Sequence, residues 1–161
     1  MRHAKAEPFA STDHERALTD RGRREAVEAG RYLSERGVVP DHVVVSSAKR
    51  TMGTWAAMTE ALESTPTVVA DDAVYAGSVD VVLETLRLVP EDARVVVFVG
   101  HQPAIGYLAH LLDDGAGDHE ALHQMLHGFA TASMAFFDVE VAWADLAEES
   151  GRLVDFRPGS A

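Results

Sequence analysis

Cysteine is absent from this 161-residue chain. That excludes a disulfide framework, a thiolate nucleophile and any zinc site built on cysteine. Long apolar runs are absent too. No stretch approaches the roughly 20 residues that span a bilayer, and the N-terminus lacks the charged-then-apolar pattern of a secretory leader. A cytoplasmic location is the expectation these absences support. Basic side chains are scarce, 14 Lys and Arg against 26 Asp and Glu, for a formal net charge of −12. Such a field repels nucleic acid and anionic membrane, because both are bound by neutralising phosphates with Lys and Arg. Neither is expected as a partner. A phosphorylated substrate is repelled as well, unless arginines gather in the cleft, so the position of each arginine matters. Internal repeats, low-complexity tracts and interdomain linkers are also missing. With 47% apolar and 25% charged residues, ordinary globular values, residues 1–161 read as one domain around one core. The end of the chain, from about Arg157 to Ala161, has no core pattern and is expected to be a mobile tail.

What is present is an alternation of strands and helices. Val43 to Ser46 is a β-branched run of the kind found in buried strands, and Thr67 to Ala70 is a shorter one. Arg94 to Gly100 is the strongest strand signal and reads as buried on both faces. Ser133 to Val141 and Leu153 to Phe156 read as two later strands paired near one edge. Thr19 can cap a helix running to about Arg36, with Gly37 at its stop. Further helices are expected near Thr51 to Glu63, Val79 to Leu88 and Pro103 to Leu112. The pattern predicts a three-layer α/β/α domain with a mostly parallel central sheet. Ligands of such sheets bind beyond the carboxyl ends of the strands.

Three segments at such places carry related chemistry. The chain opens Met1-Arg2-His3-Ala4-Lys5-Ala6. The first internal strand runs into Ser46-Ser47-Ala48-Lys49-Arg50-Thr51, and the strongest strand ends in Gly100-His101-Gln102-Pro103. Two histidines and two arginines can therefore converge beside helix N-termini, which favour anions. The set suits phosphoryl transfer: one imidazole attacks phosphorus while guanidinium forks hold the equatorial oxygens. The second imidazole donates to those oxygens as charge redistributes. Nearby arginines disfavour imidazolium and so keep His3 neutral at pH 7. One ring nitrogen would attack, the other being fixed by a backbone carbonyl or a carboxylate.

Those segments, with Glu15-Arg16-Ala17-Leu18-Thr19-Asp20-Arg21-Gly22, are in the order found in the histidine phosphatase (phosphoglycerate-mutase-like) superfamily. The chain resembles that family's small SixA-type phosphohistidine phosphatases, and the matches extend over most of its length. The resemblance implies a phosphoglycerate-mutase-like fold and a covalent phosphohistidine on His3. Arg2 and Arg50 are then phosphate ligands, His101 the second pocket histidine and Arg16 a substrate-binding residue at the pocket mouth. The expected substrate is phosphohistidine on a partner protein, with a small phosphorylated metabolite as the alternative. No metal or other cofactor is expected, because arginines and His101 supply the charge. Two departures stand out. The family carries a hydrophobic strand before its Arg-His pair, whereas this chain begins one residue before it; loss of that strand should damage the sheet and misplace His3. Gln102 stands where the family commonly has Asn, a substitution of one neutral amide for another.

The family's larger members protonate the leaving group with a carboxylic acid on an inserted segment. Glu7 and Asp72 are the candidates here, without a motif around either. Protonated imidazole is a better leaving group than an alkoxide and needs less help from a dedicated acid, which leans toward P–N bond hydrolysis. The competing motif is His119-Glu120-Ala121-Leu122-His123, an H-E-x-x-H match that would make the chain a zinc hydrolase, with His127 continuing the spacing. It follows an exposed-looking loop, and the longer metzincin form would need Gly at Leu126 and His at Phe129. A phosphate-binding domain without turnover is the remaining alternative.

Overall fold

The structure, a computed structural model, describes residues 1–159. Strand β1 (His42–Ser46) is buried along its whole length. Its alternating side chains serve two cores, as the period of two in a strand requires. Val43 packs with Leu33, Trp55 and Met58 on one face, and Val44 with Val82, Leu86 and Leu108 on the other. The first core is closed by α1 (Asp20–Glu35) and α2 (Lys49–Met58), the second by α3 (Val79–Arg87), α4 (Ala104–Leu112) and α5 (His119–Leu126). The result is the predicted α/β/α layering around a parallel sheet, in which β1 lies between β2 (Thr67–Asp71) and β3 (Val96–Val99). A two-stranded antiparallel sheet follows, β4 (Met134–Val139) with β5 (Gly151–Arg157).

Local chemistry accounts for the helix ends. Thr19 accepts the Gly22 N–H and opens α1, while Gly37, at φ 67°, turns the chain beyond its last residue. A Cβ on Gly22 would collide with the Lys5 carbonyl, so only glycine lets α1 rest against the N-terminal segment. Helix α2 begins at Lys49, two residues earlier than its sequence signal, and ends in a 3₁₀ turn over Thr59–Ala61. That earlier start puts Arg50 in the first turn.

Three expectations need correction. Thr67 to Ala70 carries the residues of a buried strand, yet β2 is an edge strand with Val68 and Val69 exposed, since only β1 pairs with it. Strand β3 is fully buried only at Phe98 and Val99; Val96 and Val97 line a cavity. The expected loose end is anchored through residue 159, because Arg157 is the last residue of β5 and the Gly159 N–H donates to Ser133 Oγ at 2.8 Å. Residues 160–161 lie outside the described residues.

The seam between β3 and β4 decides where the N-terminus goes. The two strands do not pair with each other, and Met1 to His3 joins them at one end. Gly100 N–H donates to the Met1 carbonyl and His3 N–H to the Gly100 carbonyl, both at 3.0 Å. On the other side Arg2 N–H donates to Ser133, and Ala132 N–H to His3. Past Met1 the seam opens into a cavity of about 820 Å³, lined by Val96, Phe98, Leu108, Met134, Phe136 and Trp143 among others. His3 is not misplaced: backbone bonds from both sheets hold it.

Candidate active site

Each predicted group arrives by its own backbone route. His3 is delivered by the short segment just described, and the adjoining Ala4 N–H donates to Thr54 Oγ1 on α2 at 3.0 Å. Thr54 in turn donates to the Arg50 carbonyl at 2.7 Å, tying the histidine's segment to the helix that carries the arginine. Arg50 leaves the first turn of α2 and is only 6% exposed. His101 follows directly on Gly100, past the end of β3. Arg2 shares the segment of His3 and donates to the Phe129 carbonyl at 2.7 Å.

The four residues meet. The His3 and His101 rings lie 5.2 Å apart, centroid to centroid, and the charges of Arg50, Arg2 and Arg16 all act on His3. Burial first, and then the charges of Arg50, Arg2 and Arg16, lower the His3 pKa to about 4 against a hydrogen bond to the Ala4 carbonyl that opposes them. Burial, more than the arginines expected to do so, keeps His3 neutral. Nδ1 of His3 lies 2.8 Å from the Ala4 carbonyl. Nδ1 must donate there, which leaves Nε2 with its lone pair free, the form a nucleophile needs. The same two causes, burial and then the Arg50 charge, bring the His101 pKa down to about 3, so both rings are neutral at pH 7.

A carboxylate with no assigned role in the sequence sits across this group. Asp13 accepts from Arg50 Nη2 at 2.9 Å, from Arg16 Nη1 at 2.7 Å and from the Tyr75 hydroxyl at 2.7 Å, while its carbonyl accepts from Arg50 Nη1. The bonds from Tyr75 and Arg16 lead in holding its carboxyl far below the usual range. Tyr75 also presents ring edges or faces to His14 and His101, and His14 Nε2 lies 2.9 Å from Ser47 Oγ. Asp13, Tyr75 and Ser46, whose Oγ is 2.8 Å from His101 Nε2, are the site residues that sequence reasoning missed. Ser46 could have been found, being the last residue of a strand. Asp13 stands three residues before Arg16, a spacing without meaning until the loop is folded. Tyr75 lies in a loop with no motif.

The other candidates fall elsewhere. The side chains of Glu7 and Asp72 are exposed, and the carboxylate the fold brings to these arginines is that of Asp13. Gln102 uses its amide oxygen on the Gly106 N–H of α4. His119, Glu120, His123 and His127 are exposed on or just after α5. Glu120 accepts from Gln124, and the His127 ring bonds the His123 carbonyl. Among the described residues no group of three or more His, Asp or Glu is placed to hold a metal ion.

Comparison with known proteins agrees with this geometry. The family model described as Histidine phosphatase superfamily (branch 1) matches residues 1–75. A candidate phosphohistidine phosphatase SixA from Nakamurella multipartitia is 34% identical, superposes with a TM-score of 0.87, and shares 100% of this chain and 94% of its own. Its counterpart from Agrobacterium tumefaciens is 27% identical with a TM-score of 0.80, over 98% of this chain and 94% of that one. The uncharacterized protein MT1313 of Mycobacterium tuberculosis is 32% identical, covering 97% of this chain and 98% of its own length. The chain belongs to the histidine phosphatase superfamily, among its SixA-type members.

Proposed function

We propose that this protein is a phosphohistidine phosphatase that works through a covalent phosphohistidine on His3. The observation that carries the reading is a set of unused donors. Among the described residues four buried side-chain polar atoms lack a hydrogen-bond partner, and three of them are Arg2 Nε, Arg50 Nε and His101 Nδ1. Buried donors are rarely left empty, and these three belong to the residues gathered around His3. A phosphoryl group beside His3 offers three oxygens to fill them.

In this reading the neutral Nε2 of His3 attacks phosphorus as the bond to the leaving nitrogen or oxygen breaks. Arg2, Arg50 and His101 take up the charge on the equatorial oxygens, and Arg16 binds substrate at the mouth. Water then attacks the phosphoenzyme, releasing phosphate and restoring His3. Guanidinium charge stands where a metal ion would otherwise act, so the reaction runs in excess EDTA. The preferred substrate is a phosphorylated histidine of a cytoplasmic partner protein, whose leaving imidazole needs little acid assistance, and residues 1–161 act as one domain.

Phosphoenzyme trapping tests the proposal. Brief exposure to a ³²P-labelled phosphohistidine peptide, then quenching, should give an acid-labile, base-stable adduct that is lost in His3→Ala. An undiminished adduct in that variant would overturn it. Faster turnover of aryl or sugar phosphates than of the peptide would move the substrate to small phosphoesters within the same chemistry.

A further inference from the structure

Ser46 closes β1 with a side chain that has no access to solvent, and its hydroxyl lies 2.8 Å from Nε2 of His101. A hydroxyl offers one proton and two lone pairs. The Ala48 N–H approaches Ser46 Oγ at 3.4 Å and takes an acceptor position. For the proton of Ser46 the acceptor at hand is His101 Nε2. Were the ring to carry its hydrogen on Nε2 instead, it would donate to Ser46, and the serine proton would be buried with nothing to receive it. Counting donors and acceptors therefore fixes the direction of the bond, Ser46 O–H to His101 Nε2.

We infer that Ser46 is a positioning residue that sets the tautomer of His101, placing the ring hydrogen on Nδ1 so that this atom faces a bound phosphoryl oxygen as a donor. The consequence for the site is specific. His101 is neutral at pH 7 under the burial and the Arg50 charge that lower its pKa, so it has a single N–H to give. Nδ1 is the atom left buried without a partner. On the other tautomer it would present a lone pair to an oxyanion, turning attraction into repulsion. The groups packed on the ring from other elements are His3 at 5.2 Å and the edge of Tyr75 at 5.6 Å, and neither bonds a ring nitrogen of His101. Among the described residues Ser46 is therefore the one hydrogen-bond partner of a His101 ring nitrogen, while Arg50, Arg2 and Asp13 act on the ring through charge. The Thr51 hydroxyl, with one proton to give, lies between the carbonyls of Ser46 at 2.7 Å and Ala48 at 2.6 Å and ties this stretch to α2.

The inference rests on the proposed phosphatase reading for its consequence, but the tautomer itself is measurable in the free protein. Two-bond ¹H–¹⁵N NMR on the ¹⁵N-histidine-labelled full chain at pH 7 should show His101 with a protonated Nδ1 and a bare Nε2. In Ser46→Ala the pattern should shift toward the Nε2–H form or a mixture, and turnover of the phosphohistidine peptide should fall about ten- to a hundredfold, the usual loss when an orienting partner is removed. Labelling of His3 should survive in that variant, only more slowly. Wild-type His101 in the Nε2–H form would overturn the inference, whatever the variant does. So would ring signals unchanged in Ser46→Ala, or turnover within twofold of wild type. If wild type forms no phosphoenzyme yet His101 carries its hydrogen on Nδ1, the phosphatase reading fails and the tautomer assignment stands.

Discussion

The two ends of the seam between β3 and β4 differ in almost every respect. At one end the gap is closed by the backbone of Met1 to His3, and the side chains there are Arg2, His3, Arg50 and His101. At the other end the gap stays open as a cavity of about 820 Å³, its walls mostly apolar. The open end has the apolar form in which ligands usually bind. The candidate site is at the closed end. Its signs are neutral histidines, one buried and one half-buried, guanidinium groups and unfilled donors, none of which depends on volume. The comparison teaches that a site for a small, highly charged group is built from unfilled hydrogen-bond donors and fixed charge, not from volume.

The sharpest way to break the comparison is at the nucleophile. His3→Ala should cut turnover at least about a thousandfold, as loss of a covalent nucleophile does, while the melting temperature moves only a few degrees. Steady-state assay with thermal unfolding checks both. Next comes Arg50. Arg50→Ala should lower kcat/KM about a hundredfold or more, the scale of losing one preorganised charge contact. Arg50→Lys should restore little, because an ammonium cannot reproduce the fork that reaches Asp13 through both Nη atoms.

The open end should respond in stability. Burial lowers the pKa of the Met1 amino group from 8.0 to about 5, and the group bonds the Phe98 carbonyl at 2.8 Å. Between those values the unfolded chain binds a proton that the folded chain does not, so folding stability falls as pH drops from 8 to 5. A chain that carries five β-branched apolar residues ahead of Met1 has no buried amine there and has side chains to place in the seam. The melting temperature should rise by roughly 5 °C or more, and part of the loss between pH 8 and pH 5 should vanish. A polar extension should do neither, which differential scanning calorimetry across that range would show. The smallest effect is expected far from the seam: His123→Ala on α5 should leave turnover within about twofold, as exposed substitutions away from a site do.

Much of this was legible beforehand, for physical reasons. The strands announced themselves through β-branched runs, and Thr19 and Gly37 marked the ends of α1 with chemistry suited to those ends. Arg2, His3, Arg50 and His101 were singled out because strand termini are where such sheets bind ligands, and the fold brings the four together. What could not be read was whatever depends on a third element. Val68 and Val69 look like core residues until the sheet order makes β2 an edge. Asp13 looks like any loop aspartate until folding lays it against Arg50, Arg16 and Tyr75. Ser46 was visible as a strand end, but its role depends on His101, more than fifty residues later in the chain.

A tungstate-soaked crystal, located by the anomalous signal of tungsten, would test the central claim most directly. The anion should sit at the closed end of the seam, against His3 Nε2, with Arg2 Nε, Arg50 Nε and His101 Nδ1 each donating to one of its oxygens. A tungsten atom found elsewhere, with those three nitrogens still unfilled beside His3, would contradict the account.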